Sequence, residues 1–399
     1  MRTMPPMPAA PLLTTTERRT RLARRLHLAT EWRATDHVEA ARSLVGLHAS
    51  DPASAVLSSL ARCDLDVTSF QSELFESRST LRMLGMRRTL FVFATEVAPI
   101  VQAACTNDIA VVEARKLIAL IESAGLAGDG AAWIERVAAA TLDRLDTHGP
   151  ALAAELGAAV PELALQIELA SVKPYAGKVG VSTRILFLLA ARGQIVRART
   201  RGSWVSGMHW WATTESWLGG PIPARDAVGA RADLARAWLA SYGPGRLTDL
   251  QWWAGWTKTA TARALADVGA VEVALDDGTG WVLAGDVEPS APVEPWAALL
   301  PGLDPAVMGW KDRTWTVGEL MPAVFDRTGN VGPTVWWDGR VVGSWVHRAP
   351  GEIAVALLDD PGAEGRAAIE AQVDAWQRRV PDVAVAPRFP APADRRLRA

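Results

Sequence analysis

A histidine and two other polar side chains lie close together at a break in the helical pattern near the N-terminus. The residues are His48, Ser50 and Asp51, followed by Pro52. A neutral imidazole, whose usual pKa is about 6.5, can accept a hydrogen bond from water and act as a general base. The Ser50 hydroxyl can hold the same water, and Asp51 can replace it in that role or orient the imidazole. Such a group is suited to directing one water molecule at a substrate.

A purely structural role explains the same residues. The sequence Ser50-Asp51-Pro52 is typical of a helix start, and a lone histidine at a helix end more often caps or packs than catalyses. The i, i+2 spacing places His48 and Ser50 on one side only where the backbone is extended, which Pro52 favours. On spacing alone, the structural role is favoured.

The elements that must position this segment follow a recurring order. The hydrophobic pattern predicts N-terminal helices, one of which ends near Val45, and a strand over residues 81–93. A short helix (151–156), a second helix (178–192) and a hairpin from 194 follow. Helices within 226–266 then precede a hairpin over 271–283 with an Asp-Gly turn. Helices followed by a hairpin are typical of a winged helix.

Short β-type runs dominate the C-terminal region, at 315–317, 334–337, 341–346 and 353–357, and a helix over 363–379 follows them. Tight turns between such runs are expected for a small barrel. The predicted fold is therefore α+β, with three tandem winged-helix units and a C-terminal small β-barrel. The predicted boundaries are 13–146 for winged-helix unit 1 with a helical extension, 147–224 for unit 2, 225–290 for unit 3, and 291–399 for the barrel and C-terminal helix.

Composition limits the function classes. A net charge of −2 and a pI of about 6.3 mean that a nucleic-acid partner would need a local basic face. The chain has no glycine-rich phosphate loop, metal-ligand cluster or serine nucleophile elbow, which argues against a small-molecule enzyme. Cys63 and Cys105 show no metal or disulfide spacing, and no apolar run resembles a signal peptide or a membrane span. We expect a cytoplasmic protein.

Several basic and aromatic residues are candidates for contacts with DNA. Arg87, Arg88 and Thr89 offer phosphate contacts or are ordinary solvated surface. The alternating Arg197, Arg199 and Arg201 are expected to share one strand face, and with Lys173, Lys178 and Arg184 they form the best local basic patch.

Two candidates lie further along the chain. Lys311 and Arg313 either contact DNA, or Arg313 pairs with Asp312 inside the protein. The hairpin bearing Trp337 and Arg340 either enters the minor groove or is a turn with a packed tryptophan.

Three stretches resemble the winged-helix bacterial DNA glycosylases represented by AlkZ and YcaQ. The first is the sequence ARSLVGLHAS at 41–50, and the second is Arg87-Arg88-Thr89-Leu90 within 83–93. The third and most specific combines LPGLDP at 300–305, GWKDR at 309–313, GNVGP at 329–333 and WDGR at 337–340. The resemblance extends from residue 13 into the 380s.

This resemblance implies three winged-helix units around a concave DNA-binding surface and hydrolysis of the N-glycosidic bond of N-alkylated purines, including bulky and crosslinked adducts. The family's Gln-x-Gln or Gln-x-Asp motif, at the end of the second helix, is here His48-Ala49-Ser50. That position raises the catalytic interpretation of His48, Ser50 and Asp51 above the structural one. The expected partner is double-stranded DNA, with no cofactor and a monomeric, nucleoid-associated protein. Because both family glutamines are missing, a non-catalytic DNA-binding protein is the alternative.

Overall fold

The computed structural model describes residues 10–168, 177–380 and 382–398, which form a mixture of helices and strands, as the α+β prediction requires. The helices are α1 (Thr15–Arg25), α2 (His37–Ser43), α3 (Pro52–Leu60), α4 (Val67–Phe75), α5 (Ala98–Val101), α6 (Asn107–Ser123), α7 (Gly130–His148), α8 (Ala153–Ala159), α9 (Val181–Ala191), α10 (Thr214–Leu218), α11 (Ala227–Tyr242), α12 (Leu247–Ala254), α13 (Lys258–Asp267), α14 (Pro305–Met308), α15 (Thr314–Val317), α16 (Met321–Val324), α17 (Gly362–Arg379) and α18 (Pro392–Arg398). The strands are β1 (Leu12–Leu13), β2 (Leu47–His48), β3 (Thr80–Leu84), β4 (Leu90–Ala94), β5 (Gln166–Glu168), β6 (Lys178–Gly180), β7 (Ile195–Thr200), β8 (His209–Thr213), β9 (Ala270–Leu275), β10 (Gly278–Leu283), β11 (Ala297–Leu300), β12 (Thr334–Trp337), β13 (Arg340–Ala349) and β14 (Glu352–Leu357).

The chain divides into two compact units. Unit 1 contains the described residues up to 47, residues 54–66 and the residues from 232 onward. Unit 2 contains residues 48–53 and 67–231. The sequence predicted four segments, which divide the chain more finely than these two units, and their boundaries stay a prediction.

A small sheet in unit 1 confirms the hairpin predicted over 271–283. Strands β9 and β10 pair antiparallel around the turn at Asp276 and Asp277, and β1 pairs in parallel with β9. Leu13, Val273 and Val282 form its buried core, because alternate residues of a strand point to one face.

A second sheet in unit 1 corrects the predicted β-barrel. Strands β11, β12, β13 and β14 form an open antiparallel sheet in that order. Four strands are too few to close into a barrel, since even small barrels need more. Helices α17 and α18 contact this sheet and bury its apolar surface instead.

Residues 315–317, which β propensity assigns to a strand, form helix α15. The Asp312 carboxylate accepts hydrogen bonds from the Thr314 amide, at 3.1 Å, and from the Thr314 hydroxyl, at 2.6 Å. Such a local carboxylate contact favours a turn over a strand, and the helix begins there. Helix α18 was not expected, because its sequence is short, polar and has no hydrophobic period.

In its described residues, unit 2 combines a helical core with three small sheets. Side chains from α6, α7 and α9 supply much of its buried core, including Leu117, Ile134 and Ile185. The stretch 81–93 was predicted to be a single strand, and this is wrong. It contains the antiparallel hairpin of β3 and β4. The chain reverses near Arg87 and Arg88, whose φ angles are 54° and 60°.

The region expected to form a second winged helix contains the predicted elements with shifted bounds. Helix α9 begins at Val181, and Lys178 belongs to β6, which pairs with β5. The predicted hairpin from 194 is formed by β7 and β8, which enclose residues 201–208. The winged-helix assignment itself stays a prediction.

Candidate active site

His48 lies in an extended segment and not at a helix end, where the sequence had placed it. It ends strand β2, and the next amide, of Ala49, donates a hydrogen bond to the Leu90 carbonyl at 2.7 Å. The sheet order is β2-β4-β3, so β4 lies beside His48. Extended backbone is the condition under which residues 48 and 50 project to the same side.

The His48 side chain is buried against an aromatic ring. It is 5% exposed, and its ring centroid lies 5.0 Å from that of Phe91 on β4. Burial, and secondarily the positive charge of Arg87, lowers the pKa of His48 to about 3. Its Nδ1 atom has no hydrogen-bond partner among the described residues. The imidazole is therefore neutral at pH 7 and has a polar atom available for a ligand or water.

The two polar residues after His48 lead into helix α3. Ser50 is half-buried, and Asp51 is buried with its carboxylate accepting the Ala53 amide at 3.2 Å. This contact satisfies one of the free amides at the helix start, as the Ser50-Asp51-Pro52 sequence indicated. The cap also fixes where the segment turns, so Ser50 lies between an anchored strand and an anchored helix.

The turn between β3 and β4 brings a predicted DNA contact close to His48. Arg87 is half-buried, and its charge acts on the imidazole. Arg88 is paired with Glu113 at 3.0 Å, and its guanidinium lies 4.9 Å from the centroid of the Phe187 ring. The Thr89 hydroxyl donates to the Met86 carbonyl at 2.8 Å and so stabilises the turn.

The arginines predicted to share one face of the β7 strand have different surroundings. A register irregularity falls between Arg197 and Thr200, which interrupts the alternation. Arg197 lies over Trp211, at 4.6 Å, whereas Arg199 is exposed and paired with Glu76 at 3.2 Å. Arg201 is exposed and lies beyond the end of β7.

The remaining candidates of that patch are dispersed within unit 2. Lys178 is exposed and pairs with Glu168 at 3.3 Å. Arg184 on α9 lines a cavity of about 200 Å³ together with Glu113, Lys116 and Phe187. Lys173 lies outside the described residues.

The candidates in unit 1 are largely held by packing. Arg313 is 7% exposed and lies over the rings of Trp252 and Phe325, at 4.7 and 4.9 Å, whereas Lys311 is exposed. Asp312 forms an ion pair with Arg246, with 3.4 Å between a carboxylate oxygen and a guanidinium nitrogen. These contacts favour the interpretation in which Arg313 is part of the interior.

The hairpin of β12 and β13 has a packed tryptophan at its end. Trp337 is half-buried, and a Cβ atom built on Gly365 of α17 would lie 3.0 Å from its ring. Arg340, paired in register with Trp337, forms an ion pair with Asp359 at 3.3 Å. The packing of Trp337 on α17 favours the interpretation as a turn over a wedge.

Sequence reasoning missed one residue that contacts His48 and several further residues of unit 2. Phe91 forms a wall beside His48, and the buried Arg82 lies in β3. Neither residue carries a local signal, because the face of a strand toward which a side chain points depends on pairing register. His209 and Trp211 were missed for the same reason.

The described residues contain neither a group of metal ligands nor a helix that could cross a membrane. Within residues 10–168, 177–380 and 382–398, no three His, Cys, Asp or Glu side chains are grouped so that they could hold a metal ion. In the same ranges, every helix is too short or too polar to cross a membrane.

Comparisons with known proteins show what the whole chain is similar to. The sequence model described as "DNA glycosylase AlkZ-like" matches residues 41–379, which is most of the chain. A search of curated proteins finds no match. Among solved structures, the DNA glycosylase AlkZ of Streptomyces sahachiroi has a similar fold, with a TM-score of 0.70 over 93% of this chain and 98% of that chain at 20% identity. The chain therefore belongs to the AlkZ-like DNA glycosylase family.

Proposed function

We propose that the protein is a monofunctional DNA glycosylase that hydrolyses the N-glycosidic bond of N-alkylated purines, including bulky or crosslinked ones, in DNA repair or genotoxin resistance. His48 and Ser50 direct the attacking water, with Asp51 as the alternative second polar group. The observation that carries the proposal is the neutral, buried His48 with its unpartnered Nδ1. It stands where the resemblance places the family's catalytic motif.

The chemistry of the substrate makes such a modest site sufficient. A purine alkylated at N7 or N3 already bears a positive charge, so the base leaves without being protonated by the enzyme. The protein must stabilise a sugar that resembles an oxocarbenium ion and orient one water molecule. The paired carboxylates that hydrolyse ordinary glycosides are not required.

A weakly basic imidazole fits this sequence of events. With a pKa lowered to about 3, His48 takes little proton from free water. Water becomes strongly acidic only as its oxygen bonds to the electron-poor sugar carbon, and a neutral imidazole then accepts the proton. Before that moment, His48 and Ser50 act by hydrogen bonding, which fixes the direction of attack. The carboxylate of Asp51 supplies negative charge close to the developing cation.

The partner that we propose is double-stranded DNA. Arg87 carries positive charge beside His48, which suits a backbone phosphate next to the lesion and not the cationic base itself. We further propose a monomer that acts in the cytoplasm and is nucleoid-associated, with winged-helix units at 13–146, 147–224 and 225–290. The C-terminal segment 291–399 completes it.

Base release from alkylated duplex DNA tests the proposal. Duplexes that contain N7-methylguanine, a bulky N7 adduct or no damage are incubated with the protein, and free base is measured. We expect release from damaged DNA only, with a loss of at least about 100-fold in His48→Ala, the range of general acid–base catalysis. His148→Ala, at an exposed histidine of the same unit, is the matched control and should retain the wild-type rate.

A variant that installs the family motif makes the test sharper. His48→Gln combined with Ser50→Gln places glutamines at both motif positions, and we expect it to retain release that His48→Ala loses. Equal rates in His48→Ala and the wild type would remove His48 from the mechanism.

The second candidate is a non-catalytic DNA-binding protein. The observation that favours it is the engagement of Asp51 in capping α3, which leaves the motif with one weak base and one hydroxyl. It predicts binding to damaged or specific DNA without release of any base, including by the glutamine variant.

A further inference from the structure

Two arginines of unit 2 lie together without a carboxylate beside them. Arg82 is on β3 and Arg197 is on β7, and these strands are in contact. Arg82 acts electrostatically on Arg197, and the charges of both arginines act on His209 at the start of β8. In the part of the chain that the structure describes, neither guanidinium forms an ion pair, whereas Arg88, Arg192 and Arg199 of the same unit do.

The enclosure of Arg82 makes this arrangement costly for the protein alone. Its side chain is 5% exposed, and its Nε and Nη2 atoms have no hydrogen-bond partner among the described residues. Burial lowers the pKa of Arg82 to about 10, and burial together with Arg82 lowers the pKa of Arg197 to about 9. Both guanidinium groups therefore stay charged at pH 7. A buried charge without a counter-charge is strongly unfavourable, and a second like charge adds to the cost.

Aromatic packing holds the outer part of the cluster in place. The Arg197 guanidinium lies 4.6 Å from the Trp211 ring, and the His209 ring meets the same tryptophan edge-on at 4.8 Å. The Nδ1 atom of His209 donates to the Gly207 carbonyl at 3.0 Å. Burial, followed by the charges of Arg82 and Arg197, lowers the pKa of His209 to about 3, so this ring adds no positive charge. The cation–π contact orients Arg197 but does not neutralise it.

We propose that Arg82 and Arg197 form a binding site for a phosphate group, whose negative charge supplies the missing counter-ion. Guanidinium groups present planar pairs of N–H donors that match phosphate oxygens, and such charge-assisted contacts are strong when they are partly desolvated. Arg197 and His209 are half-buried, so the site opens to solvent on their side while Arg82 forms its inner end. Its assignment to a backbone phosphodiester of DNA rests on the proposed function, whereas a free phosphate would use the same chemistry.

Thermal unfolding with inorganic phosphate tests the site without any activity. We expect phosphate, compared with chloride at equal ionic strength, to raise the unfolding midpoint of the wild type in a saturable manner, because a ligand that binds the folded state stabilises it. Arg82→Met and Arg197→Gln should abolish this rise. Arg136→Gln, which removes an exposed arginine paired with Glu162 in the same unit, should keep it.

The thermal unfolding midpoint measured in chloride alone distinguishes the proposed site from a purely structural role of Arg82. If Arg82 only stabilised the fold, its replacement would lower this midpoint. Because Arg82→Met removes a buried charge that lacks a counter-charge, its midpoint should not fall below that of the wild type. A fall, or a phosphate response that persists in both variants, would overturn the proposal.

Binding to undamaged duplex DNA then separates the two sources of phosphate. For a backbone phosphodiester, Arg82→Met should weaken binding by about 10-fold and reduce the slope of log affinity against log salt by about one. If the phosphate response is lost in the variants while the slope for DNA stays that of the wild type, the site takes a free phosphate. Neither readout involves base release, so failure of the glycosylase proposal leaves this one testable.

Discussion

The imidazole of His48 lies against the ring of Phe91, with the ring planes tilted by 56° and the centroids 5.0 Å apart. One residue comes from β2 and the other from β4, so the contact exists only once these strands are aligned. Phe91 is itself buried and tilts against Phe93, at 5.5 Å. Burial is the main physical cause of the low pKa of His48, and the aromatic wall covers one side of the imidazole.

Shortening this wall should therefore change the titration of His48. In Phe91→Leu, partial access of water to the imidazole should raise the pKa of His48 toward the ordinary histidine value. Titration of the labelled His48 ring by NMR measures the shift. An unchanged pKa would mean that Phe91 does not control the solvation of His48. Phe91→Ala is the harsher variant, and it should lower the free energy of unfolding by about 3–5 kcal/mol through loss of a buried ring.

The low pKa of His48 also predicts how stability depends on pH. In the unfolded chain the imidazole titrates near ~6.5, but the folded protein holds its pKa at about 3. The unfolded state therefore binds the proton first, and the contribution of His48 to stability is complete above pH ~6.5 and decreases as the pH falls toward about 3.

Comparison with a variant isolates this contribution. Between pH 6 and 4, the free energy of unfolding of the wild type should fall more steeply than that of His48→Gln, by up to about 1.4 kcal/mol per pH unit. Urea unfolding at several pH values measures both slopes. Parallel profiles for the two proteins would show that His48 titrates normally in the folded state.

Local signals explain which elements the sequence predicted. Strand β12 has the predicted bounds, and α13 lies within the predicted helical region 226–266 except for its last residue, with the Thr257 hydroxyl accepting the Ala260 amide at 3.2 Å. The hairpin of β9 and β10 also follows from its turn residues and alternation. In each case, residues within a few positions of one another determine the backbone.

Features that depend on distant pairing or unusual backbone angles were not predictable in this way. The turn before β4 uses two arginines at positive φ, where glycine is the usual residue, so 81–93 resembled one strand. The C-terminal runs gave no reliable strand count, because residues 315–317 form a helix, and the four strands that remain form an open sheet covered by helices. At the site, the motif located His48, but its contact with Phe91 depends on the strand register, as does the burial of Arg82 elsewhere in unit 2.

A buried ion pair in unit 1 predicts a stability effect far from any proposed chemistry. Arg62 and Asp304 are both fully enclosed, and two nitrogens of the guanidinium bind the two carboxylate oxygens at 2.8 and 2.9 Å. The same carboxylate accepts the Ser58 hydroxyl and the Ala306 amide. Arg62→Met leaves the buried Asp304 carboxylate without its main partner, so we expect a loss of about 3–5 kcal/mol in the free energy of unfolding.

Neutralising the partner should recover part of this loss. In Arg62→Met combined with Asp304→Asn, neither member of the pair carries a charge. The loss of unfolding free energy in the double variant should therefore be smaller than the sum of the losses in the two single variants. Urea unfolding of the wild type, Arg62→Met, Asp304→Asn and the double variant gives this double-mutant cycle. Additive effects would contradict the coupling.

Arg87 connects the electrostatics of His48 with the proposed binding of DNA, so one substitution should change both. Arg87→Gln removes the charge that is the second cause of the low pKa of His48, and this pKa should rise while staying below the ordinary value because burial persists. If Arg87 neutralises a phosphate, the affinity for duplex DNA should also fall, and the slope of log affinity against log salt should decrease by about one. NMR titration measures the pKa of His48. Binding assays at roughly 50 to 200 mM salt, a range over which phosphate contacts weaken strongly, measure the affinity and its salt slope.

Arg136→Gln is the control and should change neither quantity. A lower affinity with an unchanged salt slope would assign Arg87 to the shape of the turn and not to a phosphate contact.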